Sequence, residues 1–86
     1  MAGASDRASA GSHSWAVAGT AWVEVDGETR ECRSVCVFSP LGVETWLSVD
    51  KETGELVAAE QIDGEWIDVD IEWAREEFRD VLYAVG

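Results

Sequence analysis

Positive charge is scarce in this chain. Its 86 residues include 18 acidic and only 6 basic side chains, which gives a formal net charge of −12 at pH 7. Nucleic acids and anionic membranes are bound mainly through Lys and Arg, because these side chains attract phosphate. The composition therefore predicts that the protein binds neither nucleic acid nor a membrane surface directly.

Long apolar runs are also missing. The longest uninterrupted runs have four or five residues, whereas a membrane-spanning helix needs about 18. The first residues lack the basic region and the apolar run of about seven or more residues that mark a secretory signal. From these absences we expect a cytoplasmic protein without a membrane span.

Groups suited to catalysis are few. Cys32 and Cys36 are the only cysteines and His13 is the only histidine. Four strand steps would hold the two cysteine Cα atoms about 13 Å apart, beyond the ~7 Å limit for a disulfide, so we expect free, buried thiols. A reactive thiolate needs a cationic neighbour, but His13 falls in a predicted tail and Arg33 alternates away from Cys32. The sequence therefore predicts a protein that is not an enzyme and has no cofactor.

Metal ligands are equally sparse. Tetrahedral zinc takes four Cys or His ligands, and the chain has three such residues in total. Four acids could gather around calcium or magnesium, although their spacing does not match an EF-hand loop: Asp63, Glu65, Asp68 and Asp70. We predict no metal site, and a carboxylate metal-binding domain remains the third alternative for function.

Hydrophobic residues make up 47% of the chain and include five tryptophans. This content exceeds that of disordered acidic chains, so a folded domain is expected. Residues 1–14 contain mostly Ala, Gly and Ser without periodicity, which predicts a flexible tail. Residues 15–86 are predicted to form a single small domain.

Apolar runs alternate with turn signals about every ten residues after the tail, a pattern typical of antiparallel strands. Asp26-Gly27 and Asp63-Gly64 have the composition of two-residue hairpin turns, and longer turns are predicted at residues 39–42 and 50–54. Five strands follow from these boundaries: residues 15–25, 28–38, 43–49, 55–62 and 65–69.

The apolar period becomes helical at Ile71. We predict one helix over residues 71–84, capped by Asp70 and packed on one face of the sheet. The fold class is therefore α+β, a five-stranded antiparallel meander with one C-terminal helix. The predicted core consists of Val23, Val25, Val35, Val37, Val43, Leu47, Val49, Leu56, Ile62, Ile67, Ile71, Phe78, Val81 and Leu82.

Acidic residues concentrate in the second half of the chain. Residues 1–40 hold five acids and three bases, net −2, whereas residues 41–86 hold thirteen acids and three bases, net −10. Between residues 52 and 73 eight acids occur without a base: Glu52, Glu55, Glu60, Asp63, Glu65, Asp68, Asp70 and Glu72. Repulsion among so many acidic side chains destabilises a small domain. Their presence therefore indicates either an environment that screens the charge or a function that uses it.

Two explanations of the acidity remain open. In a halophilic cytoplasm salt screens the repulsion, with a Debye length of about 3 Å at 1 M, and the single Lys against five Arg is consistent with that environment. Such a domain could be a salt-adapted interaction domain or a homodimer. Alternatively, the acids occupy the positions of phosphates and bind a basic protein surface, as in a nucleic-acid mimic that inhibits a DNA- or RNA-handling enzyme of the anti-restriction or anti-CRISPR type.

Tryptophan would supply the apolar contacts of such an interface, where it is enriched among the energetically important residues. If Val23 and Val25 face the helix, then Trp22 faces away from it, on the same side as Trp46. We expect the eight acids, with Trp46 and Trp66 beside them, to form the partner-binding site. Trp22 and Trp46 could instead fill a core on that face.

Overall fold

The computed structural model describes residues 9–10, 13–39 and 42–85. These residues form an α+β domain in which one antiparallel sheet carries two short helices on one face. The elements in chain order are β1 (Ser9–Ala10), β2 (His13–Val25), β3 (Glu28–Phe38), β4 (Glu44–Asp50), β5 (Leu56–Ile62), β6 (Trp66–Asp68), α1 (Ile71–Glu77) and α2 (Arg79–Val85). The spatial order of the strands is the chain order, so the predicted meander is confirmed.

The first long strand starts earlier than the sequence predicts. β2 begins at His13 rather than at Trp15, and Ser9–Ala10 adds a short β1 that pairs with residues 13 and 14. Part of the segment predicted as a tail therefore belongs to the sheet. The rest of that prediction, residues 1–8 and 11–12, lies outside the described residues.

The predicted C-terminal helix is divided into two. Asp70 caps α1 as expected, since its Oδ2 accepts a hydrogen bond of 3.1 Å from the Trp73 amide. At Phe78 the backbone departs from helical angles, with φ −109° and ψ 27°. The carbonyl of Phe78 nevertheless accepts a 2.9 Å hydrogen bond from the Leu82 amide, so α2 continues directly from α1. The apolar residues that face the core, among them Ala74, Phe78 and Val81, therefore extend over both helices.

The two Asp-Gly turns differ from each other. Asp26 and Gly27 both have positive φ, 52° and 79°, as the predicted type I′ turn requires. At the second site Ile62 pairs with Trp66, so three residues rather than two connect β5 to β6. The prediction of a two-residue turn at Asp63-Gly64 is therefore wrong.

The core lies between the sheet and the helices. Residues from three strands, among them Val35, Leu47 and Leu56, pack against Ala74, Phe78 and Val81. Of the predicted core, seven residues are buried: Val35, Val37, Leu47, Val49, Leu56, Phe78 and Val81. Six more are half-buried: Val23, Val25, Val43, Ile62, Ile71 and Leu82.

Ile67 is the predicted core residue that the structure leaves exposed, at 49% of its surface. It lies on β6, a three-residue strand at the edge of the sheet. The helices pack on the central strands β3 to β5, so the side chains of this edge receive less cover. The prediction that Ile67 is a core residue is wrong for this reason.

A β-bulge in β2 reverses the faces predicted for its second half. Val17 pairs with Val35 and Gly19 pairs with Ser34, which leaves Ala18 as an extra residue in β2. Gly19 has φ 152°, an angle that other residues rarely adopt. One inserted residue exchanges the two faces of every residue that follows. Trp22 therefore pairs with Glu31 on the helix side of the sheet, and Val23 pairs with Arg30 on the opposite side.

None of the helices in residues 9–10, 13–39 and 42–85 is long and apolar enough to cross a membrane.

Candidate functional site

Acids and tryptophans meet on the sheet face that the helices do not cover. Trp46 of β4 pairs with Glu60 of β5, and Glu60 pairs with Asp68 of β6. Directly opposite residues of antiparallel strands share one face, so these three side chains form a row across the sheet. The next row along the same face contains Glu44, Ile62 and Trp66. We call these six residues the acidic tryptophan face: Glu44, Trp46, Glu60, Ile62, Trp66 and Asp68.

Two tryptophan rings form the apolar part of this face. The ring centroids of Trp46 and Trp66 lie 6.3 Å apart, and the ring planes are inclined by 54°. Trp46 is half-buried, and its Nε1 donates a 3.3 Å hydrogen bond to Oε1 of Glu44. Trp66 exposes 57% of its surface. The two rings thus present an apolar surface, and the Glu44 carboxylate is hydrogen-bonded to the Trp46 ring.

The carboxylates of this face have no cationic partner within the described part of the chain. Glu60 and Asp68 are both exposed and directly opposite each other. The described ion pairs involve other acids, such as Glu31 with Lys51 at 2.9 Å and Glu76 with Arg79. Like charges directly opposite each other on neighbouring strands destabilise a sheet. The face therefore carries an unfavourable charge pair.

A groove of about 570 Å³ runs beside the charge pair. Val23 and Glu24 of β2 line one part of it, while Ala58, Glu60 and Asp68 line another. The β2–β3 hairpin reaches this groove because the bulge places Val23 on the side of the sheet opposite the helices. Glu24 pairs with Thr29 and so lies on the same side of the sheet as Trp22, yet it lines the groove together with Glu60 and Asp68.

The eight acids predicted as one site occupy separate places. Glu52 and Glu55 lie at the start of β5, whereas Asp63 and Glu65 lie in the loop after its end. A seven-residue strand separates the two groups, a distance of about 20 Å. The acids therefore do not form one continuous row.

Two further acids belong to the start of α1. Asp70 caps the helix, and Glu72 follows in its first turn, where negative charge suits the helix dipole. Asp70 thus has a structural role in addition to any contact with a partner. Of the eight acids, Glu60 and Asp68 are the two that strand pairing places together.

Trp22 lines the groove beside Glu60 and Asp68 but does not belong to the acidic tryptophan face. It exposes 68% of its surface, but the bulge puts it on the opposite side of the sheet from Trp46. The expectation that these two tryptophans share a face is wrong, because the sequence pattern does not reveal which residue of β2 is the extra one.

The cysteines form no reactive site. Both are free and buried, as predicted, and burial raises the pKa of the Cys32 and Cys36 thiols. Raised pKa values disfavour the nucleophilic thiolate. No group of three or more His, Cys, Asp or Glu side chains is arranged to hold a metal ion in the described ranges.

His13 has a set of contacts that sequence reasoning missed. Its Nδ1 lies 3.0 Å from Oδ1 of Asp80 and its Nε2 lies 3.7 Å from Oε2 of Glu77. The ring also contacts Phe78, with centroids 5.0 Å apart. The alternation of Trp15 and Val17, extended backward by two residues, could have placed His13 in the strand. No sequence signal connects it to Asp80, which lies 67 positions later.

Comparison with family models, with curated proteins and with solved structures finds no match for this chain.

Proposed function

We propose that the domain is a non-enzymatic module that binds a basic protein surface through the acidic tryptophan face. The observation that carries the proposal is the direct opposition of Glu60 and Asp68 beside a tryptophan pair in which Trp66 is exposed and Trp46 is half-buried. Opposed carboxylates reduce the stability of the free domain. A Lys- or Arg-rich surface that binds both carboxylates would attract each of them and so offset the repulsion between them.

The tryptophans give the proposed interface its affinity. Exposed charge pairs mainly set the association rate and the orientation of a complex, whereas buried aromatic side chains contribute most of the binding energy. Trp66 and Ile62 lie next to Trp46 on the same face, so an incoming surface would bury all three. The arrangement of apolar centre and charged surroundings is typical of protein interfaces.

A nucleic-acid-binding enzyme is the partner class that we propose. Such enzymes carry basic grooves for phosphates, and Glu60 and Asp68 lie side by side on neighbouring strands, which are about 4.8 Å apart. Glu60, Asp68 and Glu24 around the groove would take the positions of phosphates. The domain would then inhibit a DNA- or RNA-handling protein, as anti-restriction and anti-CRISPR inhibitors do.

A defined probe tests the binding face before any partner is known. A short arginine-rich peptide, titrated into the protein and followed by NMR, is expected to shift the Trp46 and Trp66 indole signals. The Glu60→Lys/Asp68→Lys variant should lose this response. The Glu52→Lys/Glu55→Lys variant has the same net charge and serves as the matched control, because its substitutions lie at the other end of β5. Equal loss in both variants would show that total charge, and not this face, determines binding.

The mimic itself is tested with a captured protein. Affinity capture from host lysate at low salt should yield a protein whose binding to DNA or RNA is competed by the domain. Competition should fail for Glu60→Lys/Asp68→Lys and persist for Glu52→Lys/Glu55→Lys. A captured protein that binds nucleic acid equally well with and without the domain would contradict the mimic.

Self-association is a second candidate, favoured by the free edge of β2. Among the described residues only Ser9–Ala10 pairs with this edge, and residues 14–23 carry no charge. Val17 and Trp22 are both exposed there. Long, uncharged edge strands pair readily with other strands, so two copies could join antiparallel through β2.

Sedimentation velocity tests this candidate. A homodimer predicts a larger sedimentation coefficient at high protein concentration, lost in the Val17→Lys variant and retained in Tyr83→Lys, which changes an exposed residue of α2. A wild-type protein that stays monomeric at all concentrations would exclude this candidate and leave the basic partner as the proposed function.

A further inference from the structure

The outer edge of β6 is a free edge at the end of the sheet opposite β2. β6 is the last strand in the spatial order, and its inner edge pairs with β5. No strand of the described residues pairs with its outer edge. All three residues of β6, Trp66, Ile67 and Asp68, are exposed. This edge therefore has room for a further strand.

The hydrogen bonds beside β6 show which backbone groups face the outer edge. The Val69 amide donates a 3.0 Å hydrogen bond to the Ala59 carbonyl, so these two residues form a hydrogen-bonded pair. In an antiparallel ladder such pairs alternate with pairs that are not hydrogen-bonded. The next pair, Glu60 with Asp68, is therefore not hydrogen-bonded, and neither is the pair that Trp66 makes two residues earlier. The N–H and C=O groups of Trp66 and Asp68 consequently point away from β5, and no hydrogen bond within the described ranges uses them.

The side chains of β6 differ between the two sides of the sheet. Trp66 and Asp68 belong to the acidic tryptophan face, and Asp68 has no ion pair in the described part of the chain. Ile67, between them in the strand, lies on the helix side and exposes 49% of its surface. A strand added to this edge would place alternate side chains beside Asp68 and the intervening ones beside Ile67. Basic residues suit the first positions and apolar residues the second.

Charge decides which kind of strand this edge accepts. A second copy of the chain has a net charge of −12 and would bring its own acids towards Glu60 and Asp68. Like charges that approach each other are unfavourable, whereas a basic segment is attracted. The edge of β2 differs in this respect, because residues 14–23 carry no charge. The outer edge of β6 therefore favours a basic strand from another protein over a copy of this one.

We propose that the partner adds an extended segment to the outer edge of β6, with Arg or Lys at alternate positions beside Asp68 and an apolar residue beside Ile67. The backbone of this segment bonds the free N–H and C=O groups of Trp66 and Asp68, as in other cases of β-strand addition. The inference rests on the proposed function, from which it takes the basic partner, and it adds the way in which that partner is held.

A five-residue peptide of alternating Arg and Val, blocked at both ends, provides the test together with two N-methylated forms. One form is methylated at two arginine amides and the other at both valine amides, so each lacks the N–H donors of one edge. An added strand pairs with β6 through one edge only. In NMR titrations one methylated form should bind roughly tenfold or more weakly, because it loses backbone hydrogen bonds, and the other should retain its affinity. The unmodified peptide should shift the amide signals of Trp66 and Asp68.

The methylated form that loses affinity also gives the direction of the added strand. Loss with the methylated arginines indicates an antiparallel strand, because the residue opposite Asp68 then bonds through its own amide. Loss with the methylated valines indicates a parallel strand. Equal affinity of the two forms would overturn strand addition, as would shifts confined to the edge of β2 around Val17.

Two variants separate this inference from the proposed function. Ile67→Ser should weaken binding of the unmodified peptide a few-fold, since it removes an apolar contact, and Tyr83→Ser, at an exposed position of α2, should leave binding unchanged. If the methylated forms bind equally but Glu60→Lys/Asp68→Lys still abolishes binding, strand addition is wrong and the acidic tryptophan face remains the binding site. Equal binding to wild type and to Glu60→Lys/Asp68→Lys, or no binding at all, would contradict both.

A second copy of the chain at this edge is detected without peptide. Protection of the Trp66 and Asp68 amides from hydrogen exchange would then increase with protein concentration. Such an increase would overturn the proposal. Protection that appears only when the peptide is added would support it.

Discussion

Arg30 and Asp50 are joined by a 3.0 Å hydrogen bond from Nη1 to Oδ2, across 20 residues of chain. The other carboxylate oxygen of Asp50 accepts hydrogen bonds from the amides of Glu52 at 2.7 Å and Thr53 at 3.3 Å. One buried carboxylate thus connects the β4–β5 turn to β3. The sequence predicts a turn at residues 50–54 but gives no sign of the contact with Arg30.

We expect Asp50→Ala to destabilise the domain more than Arg30→Ala. Removal of Asp50 frees two turn amides and leaves Arg30 without its partner, whereas removal of Arg30 leaves the turn contacts of Asp50 in place. Urea unfolding followed by tryptophan fluorescence measures both variants. A larger loss for Arg30→Ala would show that the ion pair matters more than the turn.

Lowering the pH should reduce the contribution of Asp50 to the stability of the domain. The hydrogen bond from the Glu52 amide, followed by that from Arg30, holds the pKa of Asp50 below its ordinary value. A lowered pKa in the folded state stabilises the protein above the unfolded pKa, about 3.9, and the effect disappears as pH falls through the folded value. The difference in unfolding free energy between wild type and Asp50→Asn should therefore narrow below about pH 4. A constant difference down to pH 2 would contradict the assignment.

The thiols should resist modification in the folded protein. Cys32 and Cys36 are buried, and burial, the largest cause, raises both pKa values. Their contribution to stability is present below the unfolded thiol pKa and decreases as pH rises above it. A disulfide reagent at pH 8 should react with neither thiol until urea unfolds the chain. Rapid reaction of one thiol under native conditions would show that its strand opens locally.

Phe78→Ala should cost about 3–5 kcal/mol of unfolding free energy. The ring is buried at the junction of α1 and α2 and contacts both Trp73 and His13. Tyr83→Ala is the control, because Tyr83 is 90% exposed and such substitutions stay within about 0.5 kcal/mol. A similar loss of unfolding free energy in the two variants would show that the packing of Phe78 does not hold the helices on the sheet.

Thermal melts at different salt concentrations separate the two explanations of the acidity. Adaptation to high salt predicts a melting temperature that rises steeply between dilute buffer and 2 M NaCl, because screening reduces the repulsion within the acidic half of the chain. A role in binding predicts a domain that is already stable in dilute buffer. A nearly flat response would therefore count against the halophilic alternative.

The order and type of the elements were predictable because they depend on local patterns. Asp26-Gly27 permits positive φ at both turn positions, Asp70 is suited to cap a helix, and the period of the apolar residues changes at Ile71. Each of these signals involves residues close together in the chain. The structure confirms all three.

The candidate site was predictable only in part. Trp46, Trp66, Glu60 and Asp68 were expected to belong to it, and strand pairing places all four on one face. Glu52 and Glu55 are close to Glu60 in sequence, yet β5 separates them from the loop at Asp63. The predicted strand over residues 55–62 already places Glu55 and Asp63 at opposite ends, so this separation follows from the sequence, whereas the strand pairing of Glu60 with Asp68 had to come from the fold.

The sequence by itself determined the meander, the positions of its turns and the negative charge, because these follow from neighbouring residues and from composition. The tertiary structure decided which faces the side chains share. The extra residue at Ala18 moves Trp22 away from Trp46 and brings Val23 to the groove, and strand register joins Arg30 to Asp50. An isolated glycine within a strand, here Gly19, often marks a bulge, but it does not show which neighbouring residue is the extra one. The position of that residue is set by packing across strands, so only the folded chain shows where the acids and tryptophans meet.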